Sequence, residues 1–162
     1  ELGAEKIVYH TCYHPDIYLL TGWARRTAEF YQEFLENRKE IKVVLENVFD
    51  REWEPILEAI EEANAPNFDF CLDIGHAHCY SPRPAEEWAQ AMRKHISHVH
   101  VHDNLGDKDS HMALGQGNIS LSRTLMPFLL NEDEPTFTIE CGNKEAVLTS
   151  WEMLRELKSC FF

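Results

Sequence analysis

Short runs of β-branched and aromatic residues recur along the chain, each followed by a stretch whose apolar positions lie three and four apart. The runs at residues 6–11, 41–47, 68–74, 96–103 and 136–141 have the composition of strands buried in a parallel sheet. The stretches between them predict helices. Over residues 23–37, Ala24, Ala28, Tyr31, Phe34 and Leu35 make one apolar stripe. Asp50 is placed to cap a helix over 51–63, and Pro84 stands at the first turn of one reaching residue 94. Ser120 or Ser122 starts another that ends at Leu130, and residues 145–158 supply the last. Strand and helix alternate with no repeat or linker, which implies one α/β domain with a parallel sheet, either doubly wound or curled into a barrel.

Periodicity does not choose between those two, but the polar residues do. Each strand ends in a side chain able to bind a metal: His10, Glu46, Asp73 with His76, His100, and Glu140. In an open sheet ligands gather at a switch point served by a few strands, whereas in a barrel every strand ends at the same mouth. Five converging ends predict the barrel. The 162 residues fall short of the roughly 250 of a closed eight-stranded α/β barrel.

Glu46 and Glu140 each follow an almost wholly apolar run, and a buried carboxylate needs a compensating cation or hydrogen bonds. A divalent metal supplies that compensation; a salt bridge at the barrel mouth is the plainer alternative for either residue alone. In Asp73-Ile74-Gly75-His76 the glycine is read as a bend that turns acid and imidazole toward one cavity, against an aspartate that merely begins a helix or loop. In the run from His98 to Asp103, His98, His100 and His102 share one strand face, with one or two of them expected to be structural. Asp109-Ser110-His111 then leads into Gly115-Gln116-Gly117; this is either a chelating loop or a solvated one, and it lacks the ending of a phosphate-binding Walker loop.

Charge narrows the partners. Lys and Arg number 15 against 28 Asp and Glu, a net charge of −13, which disfavours nucleic acid because such binding is mostly cation-to-phosphate electrostatics. No apolar run is long enough for a membrane span, and no secretory leader is expected. The five cysteines are odd in number and form no CxxC pair, so a reducing, cytoplasmic location is expected.

These motifs in this order, Leu45-Glu46-Asn47, Leu72-Asp73-Ile74-Gly75-His76, the histidine strand, Asp109-Ser110-His111 with its GxG, and Ile139-Glu140, resemble the xylose isomerase-like barrels. That superfamily includes sugar and sugar-phosphate isomerases and epimerases, and the endonuclease IV group of DNA-repair phosphodiesterases. The resemblance covers nearly the whole chain and implies a partial (β/α)8 TIM barrel of about five strand-helix units, lacking about three at its N-terminal side. The N-terminal Leu2-Gly3-Ala4 reads accordingly as a helix end passing into a strand.

Carried over residue by residue, the resemblance makes Glu46, Asp73, His100 and Glu140 the metal set, with Glu46 and Glu140 also exchanging the substrate proton. It assigns His76 to substrate in the epimerases and to metal in the repair enzymes, and makes His10, His76, Asp109 and His111 possible additional metal ligands. His102 is expected at the substrate. The leading expectation is a metal-dependent isomerase or epimerase of a small sugar or sugar phosphate, with manganese, magnesium, cobalt or zinc as cofactor. The alternatives are an endonuclease IV-like zinc phosphodiesterase and a catalytically silent barrel fragment. Five units leave uncovered strand edges, so a homo-oligomer is expected.

Overall fold

Five parallel strands, β1 (Lys6–His10), β2 (Lys42–Glu46), β3 (Phe68–Asp73), β4 (Ile96–Val101) and β5 (Thr136–Ile139), form one sheet whose spatial order is the sequence order. The computed structural model describes residues 3–14, 20–129 and 135–160. Leu2 and Leu130, at two of the expected helix ends, lie outside them. Helices α1 (Trp23–Leu35), α2 (Glu54–Ala63), α3 (Ile74–Tyr80), α4 (Ala85–Ala91), α5 (Leu121–Leu129) and α6 (Lys144–Ser159) lie between and after the strands. A doubly wound sheet reverses its strand order at a switch point. Here the order never reverses, and the architecture is a half-barrel, a partial TIM barrel.

Alternation along each strand separates two environments. Val43, Leu45, Phe70, Leu72, Val99 and Val101 join Leu35, Ile56, Ile60, Trp88 and Leu125 of the helices in one buried apolar cluster. The opposite, concave face is polar. Lys6 of β1 donates to the Ser97 carbonyl (2.6 Å) and to Thr136 Oγ1 of β5 (2.9 Å). One lysine side chain thus links the first strand to the last, which requires a strongly curled sheet. Next to it, His98 bonds Thr136 Oγ1 (2.6 Å) and Thr138 Oγ1 (3.0 Å). Burial, with the charges of His100 and Lys6 nearby, lowers the His98 pKa to about 4, so its ring is neutral. His98 is therefore a structural member of the histidine strand.

Three local expectations are corrected. Asp50 does not cap α2, which begins at Glu54 with no side-chain cap; its Oδ2 instead accepts from Thr11 Oγ1 (2.7 Å) and the Val48 amide (3.0 Å), tying the loops after β1 and β2 together. Directly after β3 stands α3, a seven-residue helix where a turn is the favoured reading; Asp73 begins it, as the alternative has it. Gly75 lies inside that helix and does not bend the chain. A Cβ there would run into the His102 ring, so glycine is required for close approach. Gly75→Ala is expected to cost about 1–3 kcal/mol as overpacking, measured by urea denaturation of the metal-free chain.

At the two edges of the sheet Tyr9 and Phe30 on one side, and Leu148 and Trp151 of α6 on the other, are large exposed apolar residues. Among the described residues no helix is long and apolar enough to cross a membrane.

Candidate metal centre

Parallel pairing sets the carboxyl ends of the strands side by side: His10 stands opposite Glu46, and Asp73 opposite His100. The Asn47 side chain fixes the ends of β2 and β3 further, accepting from the Asp73 amide (2.9 Å) and donating to its carbonyl (3.0 Å). The concave-face side chains at this end converge. His100 Nδ1 lies 3.3 Å from Glu140 Oε1, 3.4 Å from Glu46 Oε2 and 3.9 Å from Asp73 Oδ2. This nitrogen is buried and makes no hydrogen bond. Donor atoms about 2 Å from a shared ion stand about 3.3 Å apart in a tetrahedron. The spacing and the orphaned nitrogen fit a divalent cation among Glu46, Asp73, His100 and Glu140.

A second group adjoins the first. His76 Nδ1 bonds the Asn47 carbonyl (2.9 Å) and His111 Nδ1 the Glu140 carbonyl (2.6 Å). A carbonyl only accepts, so both rings carry hydrogen on Nδ1 and turn Nε2 inward. Both Nε2 atoms lie 3.2 Å from Asp109 Oδ2. Two nitrogen lone pairs aimed at a carboxylate call for a cation between them, a proton or a metal. Metal-bound histidines characteristically donate their other N–H to a carbonyl or carboxylate, which is the arrangement here. His76, His102, Asp109 and His111 each offer a donor atom within 4.8 Å of the others.

Electrostatics within the centre is dominated by these contacts. Burial alone would raise the Glu46 pKa, but the imidazoles of His100 and His76 and the charge of His10 outweigh it and hold the carboxyl at about 2. Burial would lower the His76 pKa, yet Glu46, Asp73 and Asp109 raise it to about 9. His100 is likewise raised against burial, chiefly by Glu46, then Glu140 and Asp73.

The consequences for stability follow by linkage. The His76 contribution is full below its usual 6.5 and is lost as pH rises through about 9. That of Glu46 is full above its usual 4.5 and is lost as pH falls through about 2. Melting of the EDTA-treated chain is expected to fall toward pH 9, and to fall also as pH drops below about 6.5, where the unfolded chain takes up a proton that His98, held at about 4, does not. An ion in place of the His76 proton should abolish the alkaline fall, seen as a zinc-dependent rise in melting temperature that grows with pH.

The expected site residues therefore divide. Glu46, Asp73, His100 and Glu140 come together; His76, Asp109 and His111 form the adjoining group. The His10 side chain is 61% exposed, and its Nε2 is 3.7 Å from Glu46 Oε2, so it borders the first group from the open edge. His102, expected at the substrate, is wholly enclosed, with Nε2 3.1 Å from Asp73 Oδ1. Two further residues carry the site without having been singled out. Asn47 clamps two strand ends, and Asp103 accepts from the amides of Asn104, Gly115 and Ile119, which shapes the loop bearing Asp109 and His111. A polar residue directly beside a carboxylate or histidine at a strand end was the available signal for both.

Half-barrel and strand-end ligand groups define a class, and a family model confirms it: the chain belongs to the xylose isomerase-like TIM barrel family, whose model matches residues 1–157. Among relatives, the uncharacterized protein MJ1311 of Methanocaldococcus jannaschii is 30% identical, the match covering 96% of this chain and 57% of that protein. A D-tagatose 3-epimerase-like protein superposes with a TM-score of 0.80 at 26% identity, over 96% of this chain and 62% of its own. The TTHB071 protein of Thermus thermophilus, from a crystal soaked with ZnCl2, gives 0.74 at 26% identity with the same coverages. The IolI protein with a bound zinc shares the fold, at a TM-score of 0.79 and 20% identity. The chain thus spans less than two thirds of the length of each of these proteins.

Proposed function

We propose that this chain is the metal-bearing part of a sugar or sugar-phosphate isomerase or epimerase, completed to a closed barrel by about three further strand-helix units. The observation that carries the reading is the buried, unpartnered His100 Nδ1 ringed by three carboxylates, in a fold shared with a D-tagatose 3-epimerase-like protein. A divalent ion held by Glu46, Asp73, His100 and Glu140 supplies polarisation of the substrate's carbonyl and adjacent hydroxyl. Glu140, with its side chain one-third exposed, takes the proton from the carbon next to that carbonyl. Glu46, enclosed and held ionised by two imidazoles, is the second carboxylate that exchanges a proton with the substrate. Solvent deuterium entering a ketose at the carbon beside its carbonyl tests the reading.

Three carboxylates and one imidazole suit manganese, magnesium or cobalt, whereas the His76, Asp109, His111 group suits zinc. That second group favours one other reading, a zinc phosphodiesterase of the endonuclease IV kind. Metal analysis separates the two: one ion per chain supports the isomerase, two or three the hydrolase. The net charge of −13 weighs against a DNA substrate.

The described cysteines are all free, in keeping with a cytoplasmic location. Tyr9 and Phe30 at one edge, and Leu148 and Trp151 at the other, support self-association. A dimer or larger species is expected in sedimentation at micromolar concentration, and a monomer counts against it.

A further inference from the structure

His102 is the histidine of this centre that solvent does not reach: its side chain is fully buried, seated over Gly75, where a Cβ would overlap its ring. Its Nε2 lies 3.1 Å from Asp73 Oδ1 and 3.3 Å from Asp73 Oδ2, within hydrogen-bond distance of both oxygens of one carboxylate. An ionised carboxylate only accepts, so the ring carries its hydrogen on Nε2 and gives it to Asp73. Nδ1 is then a lone pair. It is buried without a hydrogen bond, 3.7 Å from Asp109 Oδ1, itself buried and unpartnered. The flat face of the ring stacks on His111, centroids 4.0 Å apart and planes 14° from parallel. Asp73 belongs to the first group and His111 to the second, so this one imidazole touches both.

Resting on the metal reading of the first group, we propose that His102 is a positioning residue: it fixes the Asp73 carboxylate as a ligand and takes its own orientation from His111 and Gly75. Asp73 needs such a partner. Its Oδ1 accepts from the His76 amide at 2.7 Å, a single bond that by itself leaves the carboxyl plane free to turn. The His102 N–H, arriving from the neighbouring strand, holds the carboxyl plane. Stacking on His111 and the missing Cβ at Gly75 keep the ring from swinging away.

Two amides separate this role from plain packing. Glutamine places its amide nitrogen near the position of a histidine Nε2, whereas asparagine reaches only as far as Nδ1, and neither supplies the ring. Manganese(II) is the probe, since it suits the carboxylate-rich first group, and electron paramagnetic resonance reads free against bound ion. His102→Asn is expected to weaken manganese(II) binding by about 10- to 100-fold, the usual cost of losing a partner of a metal ligand. His102→Gln should recover most of it. Circular dichroism shows whether each variant is folded. Equal binding by His102→Asn and the unaltered chain overturns the proposal, as does an equal loss in both amides, which is the result of a packing defect. If the unaltered chain binds no manganese(II) at millimolar concentration, the metal reading of the first group falls and this proposal falls with it.

Discussion

With glutamine in place of Glu140, exchange of a carbon-bound substrate proton with solvent deuterium is expected to fall by about 10²- to 10⁴-fold in the complete barrel, the usual weight of one acid-base group. Glu140 follows β5, where its amide donates to the Val101 carbonyl (3.1 Å) and its carbonyl accepts from His111 Nδ1 (2.6 Å). Those bonds involve the backbone, so the substitution leaves the loop in place. Glutamine keeps an oxygen that can face His100 Nδ1, 3.3 Å away in the native chain. It removes the charge and the ability to take a proton. Metal binding should therefore weaken less than exchange does, and measuring both on the same sample distinguishes a lost base from a lost ion. At saturating metal, His111→Ala is expected to lower exchange far less than Glu140→Gln does, because His111 reaches the first group only indirectly, through the His102 ring and the backbone carbonyl of Glu140. Turnover abolished by His111→Ala with release of zinc, and no exchange for any ketose, would transfer the assignment to the phosphodiesterase.

Much of this centre was legible because its candidate ligands sit where apolar runs stop. Val43-Val44-Leu45 and Phe70-Cys71-Leu72 are buried in the structure, and the residues that follow, Glu46 and Asp73, are 2% and 0% exposed. Barrel topology brings such positions together whatever their distance in sequence, so the strand ends already named most of the side chains that converge at this end of the sheet. What stayed hidden depended on contacts between strands. A seven-residue α3 carries too few positions for a helical period to show, and Asp73 caps it while also facing the ion group. Asp50 has the sequence context of a helix cap, but a tertiary partner, Thr11 from another loop, claims its carboxylate. His98, His100 and His102 look equivalent on one face of a strand. Their partners, threonines of β5, carboxylates of the centre and Asp73 with Gly75, give them three separate roles.

Replacing Asp73 is expected to have the broadest effect, because one buried carboxylate serves the helix cap, the His102 hydrogen bond and the ion group together. In Asp73→Ala the amide of His76 loses its cap, a cost of about 0.5–2 kcal/mol. His102 Nε2 is left as a buried donor without an acceptor, adding about 1–3 kcal/mol. The metal-free chain should lose stability on that combined scale, and ion binding by the first group should disappear in calorimetric titration. Asp73→Asn separates the contributions. The amide oxygen can still accept from His76 N and His102 Nε2, so urea denaturation in EDTA should place this variant much nearer the native chain than Asp73→Ala. It lacks the charge that a dication needs from a site taken out of water, so its manganese(II) affinity should fall steeply even though the fold holds. Native-like manganese(II) binding by Asp73→Asn would make Asp73 a cap alone and would leave Glu46, His100 and Glu140 to hold the ion.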